Sequence, residues 1–372
     1  RTPLTLLAAM EIPTPVPQSA LTVKAEGNSE MAVHFIDVGQ GNAILVQSGG
    51  QNLLYDGGDQ SHADLIISYL QEQNVENIDY MIASHYDEDH IGGLVPCIDN
   101  FSVSNIFGPD YVHTSNLFNN FMNTATANAI IVQYPSVGET FDFGTGSFTV
   151  LAPNGISQNS NDNSLVIKLK NGSNSFIFTG DAEETSEQDM ISTGMNLDCD
   201  VLSLGHHGSA SSTSWDLLEA STPSWAVISC GQDNSYGHPA ASTMEKLRDM
   251  NILVYRTDDQ GTIIALSDGD TISWNQEPCN DYTAGDAKQQ SANSDTSQAA
   301  QYSSEDTASA PAVETETPDT SSDTQGRTVW ISATGSKYHS RPDCGNMNPN
   351  KATQETEAQA LSQGYEACKK CW

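Results

Sequence analysis

The chain has 372 residues and a formal net charge of −34, with 48 acidic side chains against 14 basic ones. That length is ample for a large core and more than one domain, while the acidity repels nucleic acid and anionic surfaces at long range, so a polyanionic substrate would have to be held by metal. No apolar run approaches the roughly 18 residues that a bilayer-spanning helix needs.

Residues 1–30 read as a leader. Thr5-Leu6-Leu7-Ala8-Ala9-Met10, followed by the small pair Ser19-Ala20, suggests the remnant of a signal peptide in a chain that opens on Arg1. A disordered leader of no meaning is the other reading. Residues 31–276 carry the periodic apolar segments and hold 31 acids against 5 bases. Val33–Val38 and Ala43–Val46 are expected strands, joined by the tight turn Gly39-Gln40-Gly41, and Asn52–Tyr55 is the next, broken by Asp56-Gly57-Gly58. Between Ala63 and Gln73, Leu65, Ile66, Tyr69 and Leu70 recur at helical spacing. Tyr80-Met81-Ile82-Ala83 is a buried strand by its apolar run. Later strands are expected at Phe148–Leu151, Leu165–Leu169, Ser175–Thr179, Val201–Leu204, Trp225–Ile228 and Leu253–Tyr255, with helices over Glu184–Ser192, Thr213–Ala220 and Ala241–Met250. Strands and helices mix without strict alternation, which predicts an α/β (α+β) domain of two mixed sheets with helices outside.

The most informative stretch is Ser84-His85-Tyr86-Asp87-Glu88-Asp89-His90, which sets two histidines and three carboxylates at the end of a strand. Ligands usually bind where strands end at the carboxyl edge of a sheet, and imidazole with carboxylate suits divalent zinc, manganese or iron, in numbers that can serve two ions. Further strand ends contribute Asp37, Asp181, the pair His206-His207, and His238 in the turn Tyr236-Gly237-His238-Pro239. Five of the eight histidines in the body fall in these motifs, a concentration that scattered structural histidines would not give.

On the motifs "HFIDVGQGNAILV", "SHYDEDHIGGL", "NDNSLVIKL", "FIFTGDAE", "DVLSLGHHGSASSTS" and "ISCGQDNSYGHP", the chain resembles the metallo-β-lactamase-fold hydrolases. It is most similar to the extracellular hydrolase domain of ComEC-type competence DNA-uptake channels, over about Val33 to Ile264. The resemblance implies a four-layer αββα sandwich with a two-metal site on one edge. It implies that His85 and Asp87 bind one ion and Asp89 and His90 the other, that Asp181 bridges them, and that His238 completes the ligand set of the second ion. Asp37 looks like the aspartate that stands behind the ligands and orients them. Of His206 and His207, one is expected to ligate metal and the other to give a proton to the leaving group or steady the developing charge, so both join Asp181 as expected catalytic residues. Two departures matter: Asp87 stands where the wider superfamily has a histidine, and Asn161-Asp162-Asn163-Ser164 stands where a further histidine is usual. Oxygen in place of nitrogen hardens the site, moving its preference from zinc toward manganese or magnesium, and a hard two-metal site suits phosphate esters.

Residues 277–326 are Ser, Thr, Ala, Gln and Asp with almost no aliphatic bulk, which predicts a disordered acidic linker. Residues 327–372 regain aromatics and form a small unit of 6 bases against 4 acids, too small to hold a core without a metal or disulfide. His339, Cys344, Cys368 and Cys371 supply a set for one structural zinc, and the tail resembles the small zinc-binding module of the Ada repair methyltransferase, with histidine in place of one cysteine. A disulfide from Cys344 to Cys368 or Cys371 is the alternative in an oxidising compartment. The basic tail suits contact with an anionic polymer such as DNA or a cell-wall phosphate polymer, or is simply a solvated face.

The expected protein is therefore an exported, secreted or cell-surface bacterial hydrolase dependent on two divalent ions, manganese or zinc. Its expected reaction is phosphodiester cleavage by hydroxide activated at the metals, with DNA as the substrate by resemblance. Hydrolysis of a cell-surface phosphoester, of choline-phosphate or teichoic-acid type, is the first rival, favoured by the acidic body. A binding protein with a degenerate metal site is the second, and the near-complete ligand set argues against it.

Overall fold

The structure, a computed structural model, describes residues 30–285, 328–331, 337–340, 353–356, 360 and 365–367. It divides at Tyr302 into two units. The first unit carries two sheets. One holds β1 (Met31–Phe35), β2 (Ile44–Ser48), β3 (Gln51–Tyr55), β4 (Asn77–Ile82), β5 (Ser102–Phe107) and β6 (Val132–Gln133). The other holds β7 (Thr140–Phe143), β8 (Gly146–Ala152), β9 (Val166–Asn171), β10 (Asn174–Phe178), β11 (Val201–Ser203), β12 (Trp225–Ile228) and β13 (Leu253–Arg256). The chain then returns to the first sheet with β14 (Ile263–Ser267) and β15 (Ile272–Trp274), giving the orders β15-β14-β1-β2-β3-β4-β5-β6 and β13-β12-β11-β10-β9-β8-β7.

Side-chain alternation explains the layering. In β2, Ile44 and Val46 join a core between the sheets while Leu45 faces outward, and β3 and β10 repeat the rule with Leu53 and Tyr55 against Leu54, and Phe176 and Phe178 against Ile177. Strands apolar on both faces need cover on both. Helices α1 (Ala63–Glu72), α3 (Leu94–Asn100) and α4 (Asn116–Ala127) cover the first sheet, and α5 (Glu184–Ser192), α6 (Trp215–Ser221) and α7 (Ala241–Asp249) the second. The short helices α2 (Glu88–Ile91) and α8 (Thr257–Gln260) complete the set. The result is the expected αββα sandwich. Within α1, Ile66 and Leu70 are buried while Leu65 is 42% exposed, so the apolar stripe is narrower than its sequence suggests. Ser115 and Ser214 cap α4 and α6 by accepting from the amides of Phe118 and Leu217.

The pairs β3–β4, β4–β5, β10–β11 and β11–β12 are parallel. Their carboxyl ends therefore come out together, and the site is built there.

The body does not stop at residue 276. Arg256, fully buried, donates from Nη1 to the carbonyls of Asp281 and Thr283, Tyr282 Oη donates to Ile252 O at 2.7 Å, and the Gly285 amide donates to Pro239 O at 2.9 Å. The linker expected from 277 is corrected to this extent: residues 277–285 pack on the second sheet because a buried guanidinium needs carbonyl acceptors. Residues 286–326 and the leader 1–29 lie outside the described residues.

In the second unit, β16 (Thr328–Ile331), β17 (Lys337–His339), β18 (Thr353–Thr356) and β19 (Glu366–Ala367) pair in the order β18-β16-β17-β19 around Val329, Ile331, Tyr338 and Ala360. His339 is half-buried at the end of β17. Cys344, Cys368 and Cys371 lie outside the described residues.

Candidate metal centre

Four strand ends meet. β4 runs into residues 83–90, β10 into Gly180-Asp181, β11 into the 3-10 turn Gly205–Gly208, and β12 into the loop that carries His238. Backbone hydrogen bonds tie them: Asn42 N to Asp89 O at 3.1 Å, Leu165 N to Ser84 O at 2.7 Å, and His206 N to Gly180 O at 3.1 Å. Gly180 has φ +53°, and a Cβ there would meet Ser84 Cβ at 2.6 Å, so only glycine lets Asp181 come this close to the histidine loop. His206 and His207 both hold positive φ, 50° and 55°. Two successive non-glycine residues in that region cost energy that the surrounding contacts must supply, and the turn aims both rings into the site.

Hydrogen bonds to the ring nitrogens decide what each imidazole presents. His90 Nδ1 donates to Asp56 Oδ2 at 2.8 Å and His207 Nδ1 to Ser229 O at 2.8 Å. Ser84 Oγ donates to Asp56 Oδ2 and so accepts from His85 Nδ1 at 3.0 Å. All three rings are thereby fixed with an Nε2 lone pair facing inward, the arrangement metal-ligating histidines adopt. His85, His90 and Asp181 form one group of candidate ligand atoms lying within 4.8 Å of one another, and Asp89, His90 and His207 form a second. Asp87 Oδ2 lies 3.7 Å from His85 Nε2 on the first side, and Asp89 Oδ2 lies 3.1 Å from His207 Nε2 on the second. Asp181 faces both, with Oδ2 4.0 Å from His85 Nε2 and Oδ1 3.1 Å from His90 Nε2 and 3.7 Å from His207 Nε2.

These residues fit divalent cations. His85 Nε2, His90 Nε2 and Asp181 Oδ1 are buried and make no hydrogen bond. Leaving such an atom unpaired costs about 1–3 kcal/mol, and three converging on one point are satisfied together by a cation. The charges agree. Burial disfavours the charged form of His90, but Asp181, Asp56 and Asp89 outweigh it and hold its pKa well above the usual histidine value. Burial pushes Asp181 up, and His90, His207 and His85 overcome that and hold it well below the carboxylate range. His85 is lowered by burial and by the neighbouring His90.

Beside the first group, His206 Nδ1 lies 3.1 Å from Glu183 Oε1, which also accepts from Asn161 Nδ2 at 3.1 Å and Ser211 Oγ at 2.9 Å. Burial opposes a charge on His206, yet Glu183 and Asp181 raise its pKa above the ordinary value. His238 stands next to it, ring centroids 5.4 Å apart, and Tyr236 stacks on His238 at 5.6 Å. Burial and the neighbouring His206 and His207 lower His238 to about 4.

The structure thus gathers His85, Asp87, Asp89, His90, Asp181, His206, His207 and His238, as the sequence suggested, with three differences. The carboxylate behind the ligands is Asp56, buried and accepting from Ser84 N at 2.8 Å, Ser84 Oγ at 2.8 Å, Asn42 Nδ2 at 3.0 Å and His90 Nδ1 at 2.8 Å. Asp37 instead turns Oδ1 onto the Gly39 amide at 3.1 Å, because its strand ends in the tight turn before the site. The second group closes with His207, while His238 lies at its side. Asn161, in the stretch Asn161-Asp162-Asn163-Ser164 where the resemblance predicts a further histidine, serves Glu183. Asp56 was legible only as part of a turn, Glu183 closes the motif read for Asp181 but was given no role, and His113, whose Nε2 lies 3.4 Å from Asp87 Oδ1, belongs to no motif read from the sequence.

Residues 36–231 match the metallo-β-lactamase superfamily, and the chain belongs to that family. It is 29% identical over 255 residues to ComE operon protein 3 of Bacillus subtilis (strain 168), covering 63% of this chain and 33% of that protein. It is 31% identical over 246 residues to Competence protein ComA of Neisseria gonorrhoeae, covering 64% of this chain and 33% of the relative. The matched region is thus about a third of each relative's own length. Among solved structures, the metallo-β-lactamase fold protein YhfI from Bacillus subtilis aligns at 15% identity and a TM-score of 0.43, over 63% of this chain and 98% of that one. Among the described residues no helix is long and apolar enough to cross a membrane.

Proposed function

We propose that this chain is a phosphodiesterase of nuclease type that works with two divalent ions. The observation that carries the reading is the pair of ligand groups that share His90, with Asp181 in the first and three buried ligand atoms left unpaired. His85, Asp87 and Asp181 would hold the first ion, Asp89, His90 and His207 the second, with Asp181 common to both. Such a pair supplies Lewis acidity toward a phosphoryl oxygen and acidifies an attacking water. The chain's own residues do the rest. Asp56 fixes His90 directly and His85 through Ser84, so the ligands are held before any ion arrives. His206, with Nδ1–H on Glu183, keeps a proton at Nε2 for the leaving oxygen, as a positioned general acid does. His238, uncharged at neutral pH, and Tyr236 offer polar contacts to the substrate.

Three carboxylates among the ligands favour manganese over zinc. From the likeness to competence proteins we take DNA as the substrate and the protein as exported. The second reading, a cell-surface phosphoester of lower charge density, is favoured by the placement of the basic residues. Among the described residues of the body, Lys168 donates to the Asn196 and Asp198 carbonyls, Lys246 to Ser212 O, Arg248 pairs with Asp249, and Arg256 is buried on Asp258, so none of these contacts the ligands. In the tail, zinc on His339, Cys344, Cys368 and Cys371 remains our proposal from their spacing. Hydrolysis of plasmid DNA, single-stranded DNA and a chromogenic phosphodiester, each with manganese and with zinc, tests the reading. Cleavage of the small diester with DNA untouched selects the cell-surface substrate.

A further inference from the structure

His113 lies in the loop between β5 and α4, remote in sequence from the metal loop, yet its Nε2 stands 3.4 Å from Asp87 Oδ1. Its other nitrogen is committed. The Ser115 amide donates to His113 Nδ1 at 3.2 Å, and Ser115 Oγ, which accepts from the Phe118 amide at 3.1 Å, lies 2.8 Å from the same atom. A backbone N–H cannot be turned around, so Nδ1 keeps its lone pair and the neutral ring carries its proton on Nε2. His90 and His207 have the opposite arrangement, with Nδ1 donating and the Nε2 lone pair inward. His113 therefore presents a donor where they present an acceptor, and it is not built to ligate.

What it faces is the carboxylate that replaces a histidine in the metal loop. An imidazole offers one lone pair in a fixed direction, whereas a carboxylate offers two oxygens and swings about its bond. Asp87 Oδ1 faces His113, and Oδ2 faces His85 Nε2 at 3.7 Å and Ser160 Oγ at 3.4 Å. We infer that His113 is a positioning residue that engages Asp87 Oδ1, so that only Oδ2 is offered to the first ion. The inference rests on the two-ion reading above.

The test titrates manganese alone into the full chain by calorimetry. The unmutated protein should take up two ions. His113→Phe, which keeps the ring beside Phe118 and Tyr111, should weaken one binding step by roughly 10–100-fold and leave the other unchanged. His113→Gln, which restores an N–H donor, should recover most of the loss. In an Asp87→Ala background His113→Phe should have no further effect, because the coupling runs through that carboxylate. Two wild-type binding steps in His113→Phe, or an equal loss with Asp87 already removed, would overturn the inference. An unmutated chain that binds fewer than two ions sinks the functional reading and this inference together, which separates the two failures. A long-range ¹⁵N–¹H correlation spectrum of the unmutated chain needs no variant to fold. It should give His113 protonated on Nε2 and His207 on Nδ1, and a His113 protonated on Nδ1 overturns the assignment.

Discussion

Removing the Asp56 carboxylate is the perturbation with the most to report. It is fully buried and accepts four hydrogen bonds, from Ser84 N, Ser84 Oγ, Asn42 Nδ2 and His90 Nδ1, at 2.8 to 3.0 Å. In Asp56→Ala these donors lose their acceptor, at about 1–3 kcal/mol for each one left unpaired. Water entering the cavity recovers part of that, so a total of about 4 kcal/mol is reasonable, within the range for breaking a buried charged pair. For a domain of this size each kcal/mol lowers Tm by roughly 2–4 °C, so the metal-free variant should melt about 8–16 °C lower. His90 and His85 lose their orientation as well, and manganese should bind roughly 10–100-fold more weakly. Asp56→Asn is the sharper variant. Asp56 has φ +59°, a region asparagine tolerates, so the backbone is kept, but the amide NH₂ must face a donor. Thermal unfolding in chelator and calorimetric manganese titration read both effects. A variant within about 1 kcal/mol of wild-type stability, with unchanged manganese affinity, would refute the account of this buried network.

Asp181→Ala should abolish hydrolysis and lose the stoichiometry of two ions while keeping the far-ultraviolet dichroism of the parent, and near-normal turnover with full metal occupancy would defeat the shared-ligand role. His206→Ala should lower kcat by roughly 10²–10⁴-fold with two manganese ions still bound, and loss of an ion instead would make His206 a ligand. His34, buried in β1, has its pKa lowered by burial to about 4. Between pH 6.5 and 4 the unfolded chain therefore binds a proton that the folded chain refuses. Its stabilising contribution is complete above pH 6.5 and is lost as pH falls toward 4, by about 3 kcal/mol in all. Urea unfolding at pH 7 and pH 4.5 should show a smaller acid loss in His34→Gln, and an identical loss would assign the acid sensitivity elsewhere.

Much of this was readable from the chain. Strands buried on both faces announced themselves as short apolar runs, and α5 and β12 fall on their expected bounds because turns and charges frame them. Helix α4 was missed: its core contacts, Phe118, Phe121 and Ala125, sit among asparagines and threonines of poor helix propensity, and tertiary packing decides the matter. The candidate ligands were legible because six of the eight residues gathered at the site lie in dense His/Asp motifs at strand ends. Their supports were not. Asp56 lies next to a pair of glycines and looks like turn chemistry, and only the meeting of β3 with β4 reveals its four donors. Glu183 sits two residues past Asp181 in a motif read only for that carboxylate, and His113 is a single residue on another loop whose local sequence does not distinguish it from a solvated side chain. The carboxylate of Asp37, at the end of β1, had the same local appearance as Asp56, and the fold alone separates them.

The central claim is that the shared ligand set binds two hard divalent ions and cleaves phosphodiesters with them. Metal-stripped protein reconstituted with manganese or with zinc, followed by paired metal analysis and rates on bis(p-nitrophenyl) phosphate, tests it most directly. Two manganese ions per chain, a third ion on the tail when the metal is zinc, and faster turnover with manganese than with zinc are expected. One ion or none per chain, or no cleavage of the diester at full occupancy by two manganese ions, would contradict it.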